Sequence, residues 1–145
     1  MMVLVDTSIW SLALRRRPKR LSLEAEPLKG ELAELIHEGR VRLIGPIRQE
    51  LLSGVREETQ FRQLRSRLLP FEDTRLETRD YEEAARCSNI CRAAGVAGSS
   101  VDFLICATAI ERKWPVFTTD RDFEKYARHL PIQLHAPRSL PVKRS

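Results

Sequence analysis

The 145-residue chain is poor in the residues that staple small proteins together or carry imidazole and thiolate chemistry: three cysteines, Cys87, Cys91 and Cys106, and three histidines, His37, His129 and His135. Three cysteines cannot all pair with one another, and a disulfide framework is excluded as the basis of the fold. Cys87 and Cys91 stand one helical turn apart, but no histidine or third cysteine is close in sequence, so they are expected to pack as reduced thiols. The histidines are scattered and are expected at the surface rather than on a metal. No apolar run approaches the roughly 18 residues of a membrane span. Asp6 cuts short the apolar opening Met1–Val5, too early for a secretory signal. Together these absences predict a cytoplasmic protein with no membrane association.

What is present suits one globular domain. Hydrophobic residues make up 42% of the chain, enough for a real core at a length that buries about two-thirds of the unfolded surface. There are no internal repeats and no low-complexity segments, which predicts a single domain over 1–145 with 137–145 as a flexible tail. The net charge of +5 and pI of about 9.5 lean toward a polyanionic partner, but the excess is too modest to argue alone.

Short apolar runs alternate with helical patterns. Met2–Val5, Val41–Ile44, Val116–Thr118 and Ile132–Leu134 read as strands, with a weaker one within Phe71–Leu76. Helices are predicted after Asp6-Thr7-Ser8, whose side chains are good N-caps, over Leu28–Glu38 with Gly39 as its stop, and from Gly45-Pro46 onward. Phe61–Leu69, Tyr81–Ala94, Val101–Arg112 and Asp122–Leu130 follow. Tyr81–Ala94 sets Tyr81, Ala84, Ala85, Ser88 and Cys91 on one face, and Val101–Arg112 is apolar over most of its circumference and so expected to be central. Strands separated by helices imply an α/β three-layer sandwich, with a central, mostly parallel sheet of about five short strands flanked by helices.

In such a sheet ligands sit outside the carboxyl ends of the strands. Asp6 is the first residue past the first strand, Asp120 follows Val116–Thr118 closely, and Glu50 lies about one turn into the helix after the second strand. Asp102 opens the central helix, and its side chain leans toward the helix N-terminus. Each acid also has a purely structural account: Asp6 and Asp120 as N-caps, Asp102 as the returning acid of a Ser99-Ser100-Val101-Asp102 capping box, Glu50 as a solvated helix residue. Their coincidence at one rim favours a shared role. Four carboxylates together repel and raise one another's pKa unless cations neutralise them. Arg48 or Arg121 is available for this, but a hard divalent ion, Mg2+ or Mn2+, is better suited, because it prefers oxygen donors and shares them with phosphate. Such an ion activates water for attack on a phosphodiester and offsets the charge that develops there.

Four segments carry a family resemblance. Val3-Leu4-Val5-Asp6-Thr7-Ser8-Ile9-Trp10, Glu50-Leu51-Leu52-Ser53-Gly54, Val101-Asp102-Phe103-Leu104-Ile105-Cys106-Ala107-Thr108-Ala109 and Val116-Phe117-Thr118-Thr119-Asp120-Arg121-Asp122-Phe123 resemble, in order and spacing, the four motifs of PIN-domain nucleases. Length and spacing are most similar to the VapC-type toxins of toxin–antitoxin pairs, over residues 2 to about 135. Any one motif is weak, whereas the four in order are specific. The resemblance implies a PIN-like fold and an Mg2+- or Mn2+-dependent ribonuclease, with metal ligands at Asp6 and Asp102 and with Glu50 and Asp120 completing the catalytic acidic site. It implies that Ser8 and Thr118 orient water at the metal, and it leaves open whether Asp120 or Asp122 is the fourth carboxylate, with Asp120 placed first. It further implies an RNA substrate, a homodimer, and a cognate antitoxin that inserts a segment into the acidic groove. Cys106, where the family often has Ala, is read as a small core substitution.

Two other readings compete. A phosphoacceptor signalling domain also sets acids and magnesium on a parallel sheet, but it requires paired acids after the first strand and a Lys after the last catalytic one. Asp6 has no adjacent acid, and Thr119-Asp120 stands where the Lys would be. A catalytically inactive RNA- or protein-binding module on the same fold is the second, and retention of all four acids argues against it.

An acidic pocket repels RNA, so basic residues should flank it. Arg15, Arg16 and Arg17, with Lys19 and Arg20, occupy the loop after the first helix and are the candidate phosphate contacts; Arg138, Lys143 and Arg144 on the tail read as solubilising. Neutralising Arg15, Arg16 and Arg17 together is expected to weaken RNA binding and flatten its dependence on salt, measured by binding titrations across ionic strength. An unchanged salt slope removes these residues from the RNA contact.

Overall fold

The structure is a computed structural model, and it describes residues 1–14 and 25–138. The basic loop carrying Arg15, Arg16 and Arg17 lies outside the described residues, as do Lys143 and Arg144.

Strand β1 (Val3–Val5) is central, fully buried, and pairs in parallel with β2 (Val41–Arg42) on one side and β3 (Val116–Phe117) on the other, giving the order β2-β1-β3. The expected fourth and fifth strands are present only as single parallel bridges, Leu43 with Asp73 and Val116 with Leu134. Both bridges extend the sheet outward, so five chain segments lie side by side where three form strands. The weak segment 71–76 carries only Phe71 and Leu76 as partly buried apolar residues. It has little to hold it as a strand at an edge.

Helix α1 (Thr7–Leu14) follows β1 without a loop, and α2 (Ala25–His37), α3 (Gly45–Leu52) and α4 (Glu58–Leu68) flank β2 in sequence. Pro27 in the first turn of α2 is tolerated, since that amide needs no intrahelical partner. Helix α2 therefore starts earlier than its apolar periodicity indicates. Gly39 stops it with φ of 70°, a conformation that glycine adopts without a Cβ penalty. Helices α5 (Thr78–Ala93) and α6 (Ser100–Arg112) pack on one another before β3, and α7 (Asp122–Ala127) follows it. Residues Phe103 through Ala109 of α6 are all buried, as its all-round apolar pattern predicts. No helix among the described residues is long and apolar enough to cross a membrane.

The face that α5 buries differs from the expected one. Asp80, Cys87 and Cys91 are its buried residues, while Tyr81 is 55% exposed and Ala85 is exposed. A long-range ion pair explains the rotation. Asp80, only 2% exposed, accepts from Arg112 Nη1 at 2.9 Å and Nη2 at 3.2 Å, and it also receives the Glu77 amide at 2.8 Å in a capping box. Arg112 lies over the Trp114 ring. A buried carboxylate must be paired, and pairing it to α6 turns the 80-84-87-91 stripe inward. The three cysteines are buried free thiols, and burial pushes Cys87 up to about 11, consistent with inert packing groups.

A second buried acid corrects the readings of His135 and Arg138. Glu31 on α2 is buried, and His135 Nε2 lies 2.6 Å and Arg138 Nε 3.1 Å from its Oε2, while Arg138 Nη1 reaches Glu38 at 2.9 Å. His135 is therefore an interior partner rather than a surface residue, and Arg138 is anchored rather than solubilising on a loose tail. Burial raises the Glu31 carboxyl, but the hydrogen bonds from His135 and Arg138 outweigh it and leave the pKa below the ordinary value.

The Asp80 carboxyl is likewise held down by its Arg112 hydrogen bonds, against the upward push of burial. A depressed folded-state pKa stabilises above the ordinary value of 3.8 and is lost as the pH falls through the depressed one. Asp80→Ala, which strands the Arg112 charge, is expected to cost about 3 kcal/mol in urea denaturation near neutral pH. The gap to the natural protein should narrow in acid; a loss below ~1 kcal/mol at neutral pH would show the pair to be dispensable.

Candidate active site

The strand order puts a crevice at the carboxyl ends of β1 and β3, where the chain leaves the sheet centre toward opposite edges. Parallel register aligns Val5 with Phe117, which makes Asp6 and Thr118 the next residues on adjacent strands. Thr118 Oγ1 donates to Asp6 Oδ2 at 2.8 Å, and Ser8 Oγ donates to the same oxygen at 2.9 Å. Both hydroxyl protons are thereby committed, so the 3.2 Å approach of Ser8 Oγ to Thr118 Oγ1 is proximity rather than a third bond. The hydroxyls also accept: Ser8 Oγ takes the Thr119 amide and Thr118 Oγ1 the Asp120 amide, each at 2.9 Å. Ser8 and Thr118 thus fix Asp6 and shape the turn after β3. In this arrangement each hydroxyl donates to Asp6 and accepts one backbone amide, which leaves one lone pair on each oxygen to accept from water.

The turn delivers the remaining acids. Asp120 Oδ1 accepts the Asp122 amide at 2.9 Å, an Asx-type turn that starts α7. Asp102 sits in the first turn of α6, where its amide donates to Ser99 Oγ at 3.0 Å. Only that half of a capping box forms: the Asp102 carboxylate accepts instead from Tyr126 Oη at 2.6 Å. The structural account of Asp102 as a returning capping acid therefore fails.

One carboxylate oxygen each from Asp102, Asp120 and Asp122 lies within 4.8 Å of the other two. Asp6, 6% exposed, is near enough to act electrostatically on Asp102. Glu50 stands apart from that trio. It is exposed and tied to the rim by Thr7 Oγ1 at 2.7 Å. The choice between Asp120 and Asp122 is thus not forced, because the turn brings both beside Asp102. Tyr126 and Thr7, the partners of Asp102 and Glu50, carry no local sequence signal for those contacts. An aromatic at the buried face of a short helix reads as core.

The arginines available in sequence, Arg48 and Arg121, do not neutralise the cluster. Arg48 bonds Asp73 at 2.9 Å together with the carbonyls of Leu68 and Phe71. Among the described residues no ion pair involves Asp6, Glu50, Asp102, Asp120 or Arg121, and Asp122 has only Lys125 at 3.6 Å. Burial is the main cause that raises the Asp102 pKa, with the charges of Asp120 and Asp6 adding to it and the Tyr126 and Ser99 hydrogen bonds opposing. The donor set fits a hard divalent cation: oxygen donors only, convergent, and net negative, with Lys125 beside Asp122 as the one counter-charge among the described residues.

These features define a PIN-type α/β domain. The PIN domain family matches residues 3–129, and the chain belongs to that family. Solved structures of similar fold include FitAcB from Neisseria gonorrhoeae, at 24% identity and a TM-score of 0.73 over 96% of this chain and 100% of that one. VapBC2 from Rickettsia felis, bound to a DNA fragment from its promoter, matches at 16% identity and a TM-score of 0.73 over 93% and 98%. VapBC-1 from nontypeable Haemophilus influenzae matches at 15% and 0.69 over 93% and 97%. No match was found among curated protein sequences.

A raised folded-state pKa means that ionising Asp102 costs the metal-free fold. The cost is complete above the folded value and vanishes as the pH falls to the ordinary 3.8. Asp102→Asn is therefore expected to raise the melting temperature in EDTA near neutral pH, with the advantage fading in acid. A lower melting temperature at neutral pH would contradict the electrostatic account.

Proposed function

We propose that this PIN domain is a metal-dependent endoribonuclease and the toxin of a toxin–antitoxin pair. The observation that carries the reading is the convergence of Asp102, Asp120 and Asp122 oxygens within 4.8 Å of one another, beside Asp6 and at the crevice of a parallel sheet. Asp6, Asp102 and Asp120, with Asp122, would hold Mg2+ or Mn2+, and Glu50 would extend the acidic edge. A bound divalent cation supplies charge stabilisation at the phosphate and activation of water. The chain's own residues supply position: Ser8 and Thr118 hold Asp6, and the Asx-type turn aims Asp120 and Asp122 at Asp102.

The toxin role is supported by the VapC-like order and spacing of the four motifs and by a fold shared with the VapBC and FitAcB complexes. On this reading the protein is a cytoplasmic homodimer, silenced by a cognate antitoxin whose segment enters the acidic groove.

Labelled RNA incubated with Mn2+ or Mg2+ tests the activity. The natural protein is expected to cleave it, EDTA to stop cleavage, and Asp6→Ala or Asp102→Ala to lower the rate at least about a hundredfold. Cleavage that survives both substitutions rejects these acids as the site. RNA binding without cleavage by the natural protein favours the inactive binding module.

A further inference from the structure

We infer that Tyr126 is a positioning residue of the acidic site, its buried hydroxyl fixing the Asp102 carboxylate in the orientation in which it faces Asp120 and Asp122. The inference rests on the reading of that site as a divalent-cation centre.

The Tyr126 Oη to Asp102 Oδ2 distance is 2.6 Å, in the range of a hydrogen bond to an ionised acceptor. A carboxylate torsion is broad and roughly two-fold when nothing restrains it. Here the phenol holds one oxygen, Oδ2, and so restrains rotation of the carboxylate. The phenol itself cannot follow the carboxylate about. Tyr126 is fully buried at 0% exposure, its ring centroid 5.0 Å from Phe103 and 5.1 Å from Phe123, at interplanar angles of 49° and 77°. Phe103 adjoins Asp102 on α6, and Phe123 adjoins Asp122 on α7. The ring thus braces the two elements whose acids must meet, and its hydroxyl holds one of those acids.

Gly98 completes the seat. A Cβ at that position would overlap Tyr126 Oη and come within 2.9 Å of Phe103 Cζ. The hydroxyl therefore occupies space that exists only because residue 98 has no side chain.

Partners that orient a metal ligand typically change metal affinity 10–100-fold when removed. Mn2+ binding to the full chain without RNA, read from the spectroscopic signal of the free ion, compares the natural protein with Asp102→Ala, Tyr126→Phe and Gly98→Ala. Melting temperatures in EDTA are measured alongside. The natural protein is expected to bind Mn2+ and Asp102→Ala to lose binding. Tyr126→Phe should bind about tenfold more weakly or worse while still melting cooperatively. Gly98→Ala, which keeps the hydroxyl but displaces it, should weaken binding in the same direction. If Tyr126→Phe does not fold, Gly98→Ala decides by the same titration. Natural affinity in the folded Tyr126→Phe variant, with binding lost in Asp102→Ala, overturns the inference and leaves the cation reading intact. Equal binding by the natural protein and Asp102→Ala overturns both.

Discussion

The hydrogen bond from Thr118 Oγ1 to Asp6 Oδ2, at 2.8 Å, joins the carboxyl ends of two adjacent parallel strands, and the geometry of the acidic rim follows from it. Parallel pairing alone sets Asp6 and Thr118 side by side. The hydroxyl then turns a pair of strand ends into a fixed corner, because the same atom also receives the Asp120 amide at 2.9 Å. From that corner the chain can only enter the turn that presents Asp120 and Asp122. Ser8 does the equivalent from the α1 side through the Thr119 amide. Two short hydroxyl side chains thus help offset the entropic cost of ordering this turn, about 1–2 kcal/mol per residue.

That corner gathers negative charge, and the rest of the molecule is arranged so that this is tolerated. The two acids buried elsewhere are each paired, Glu31 with His135 and Arg138, and Asp80 with Arg112. Both are held below the ordinary carboxylate range. Asp102 has no such partner among the described residues, and its pKa moves the opposite way. The contrast separates Asp102 from the two structural acids by its electrostatics. A group left uncompensated in an otherwise paired set marks a site where the fold gives up stability.

Local sequence pattern revealed the strands, most helices and the placement of Asp6 and Asp120, because strand ends in a parallel sheet share one rim whatever the side chains are. It did not reveal contacts between residues far apart in the chain. The inward stripe of α5 is set by Arg112, 32 positions from Asp80, so periodicity within the helix pointed to Tyr81 and Ser88 instead. His135 looks like a surface histidine until Glu31, 104 positions away, is seen to need it. The outer strands shrink to bridges because residues 71–76 and 132–134 bury too few apolar side chains to extend the ladder.

Asp102 shows why motif and local chemistry had to be weighed against geometry. Ser99-Ser100-Val101-Asp102 fits a capping box as well as a metal ligand, and the sequence contains nothing to choose between them. In the structure Ser99 caps the Asp102 amide, and the carboxylate is drawn away from the helix terminus by Tyr126. The two roles are therefore divided within one residue: the backbone serves the helix and the side chain serves the rim. Capping by Ser99 leaves the Asp102 carboxylate free of that task. Replacing Ser99 would remove a cap and open a competing use for the Asp102 carboxylate.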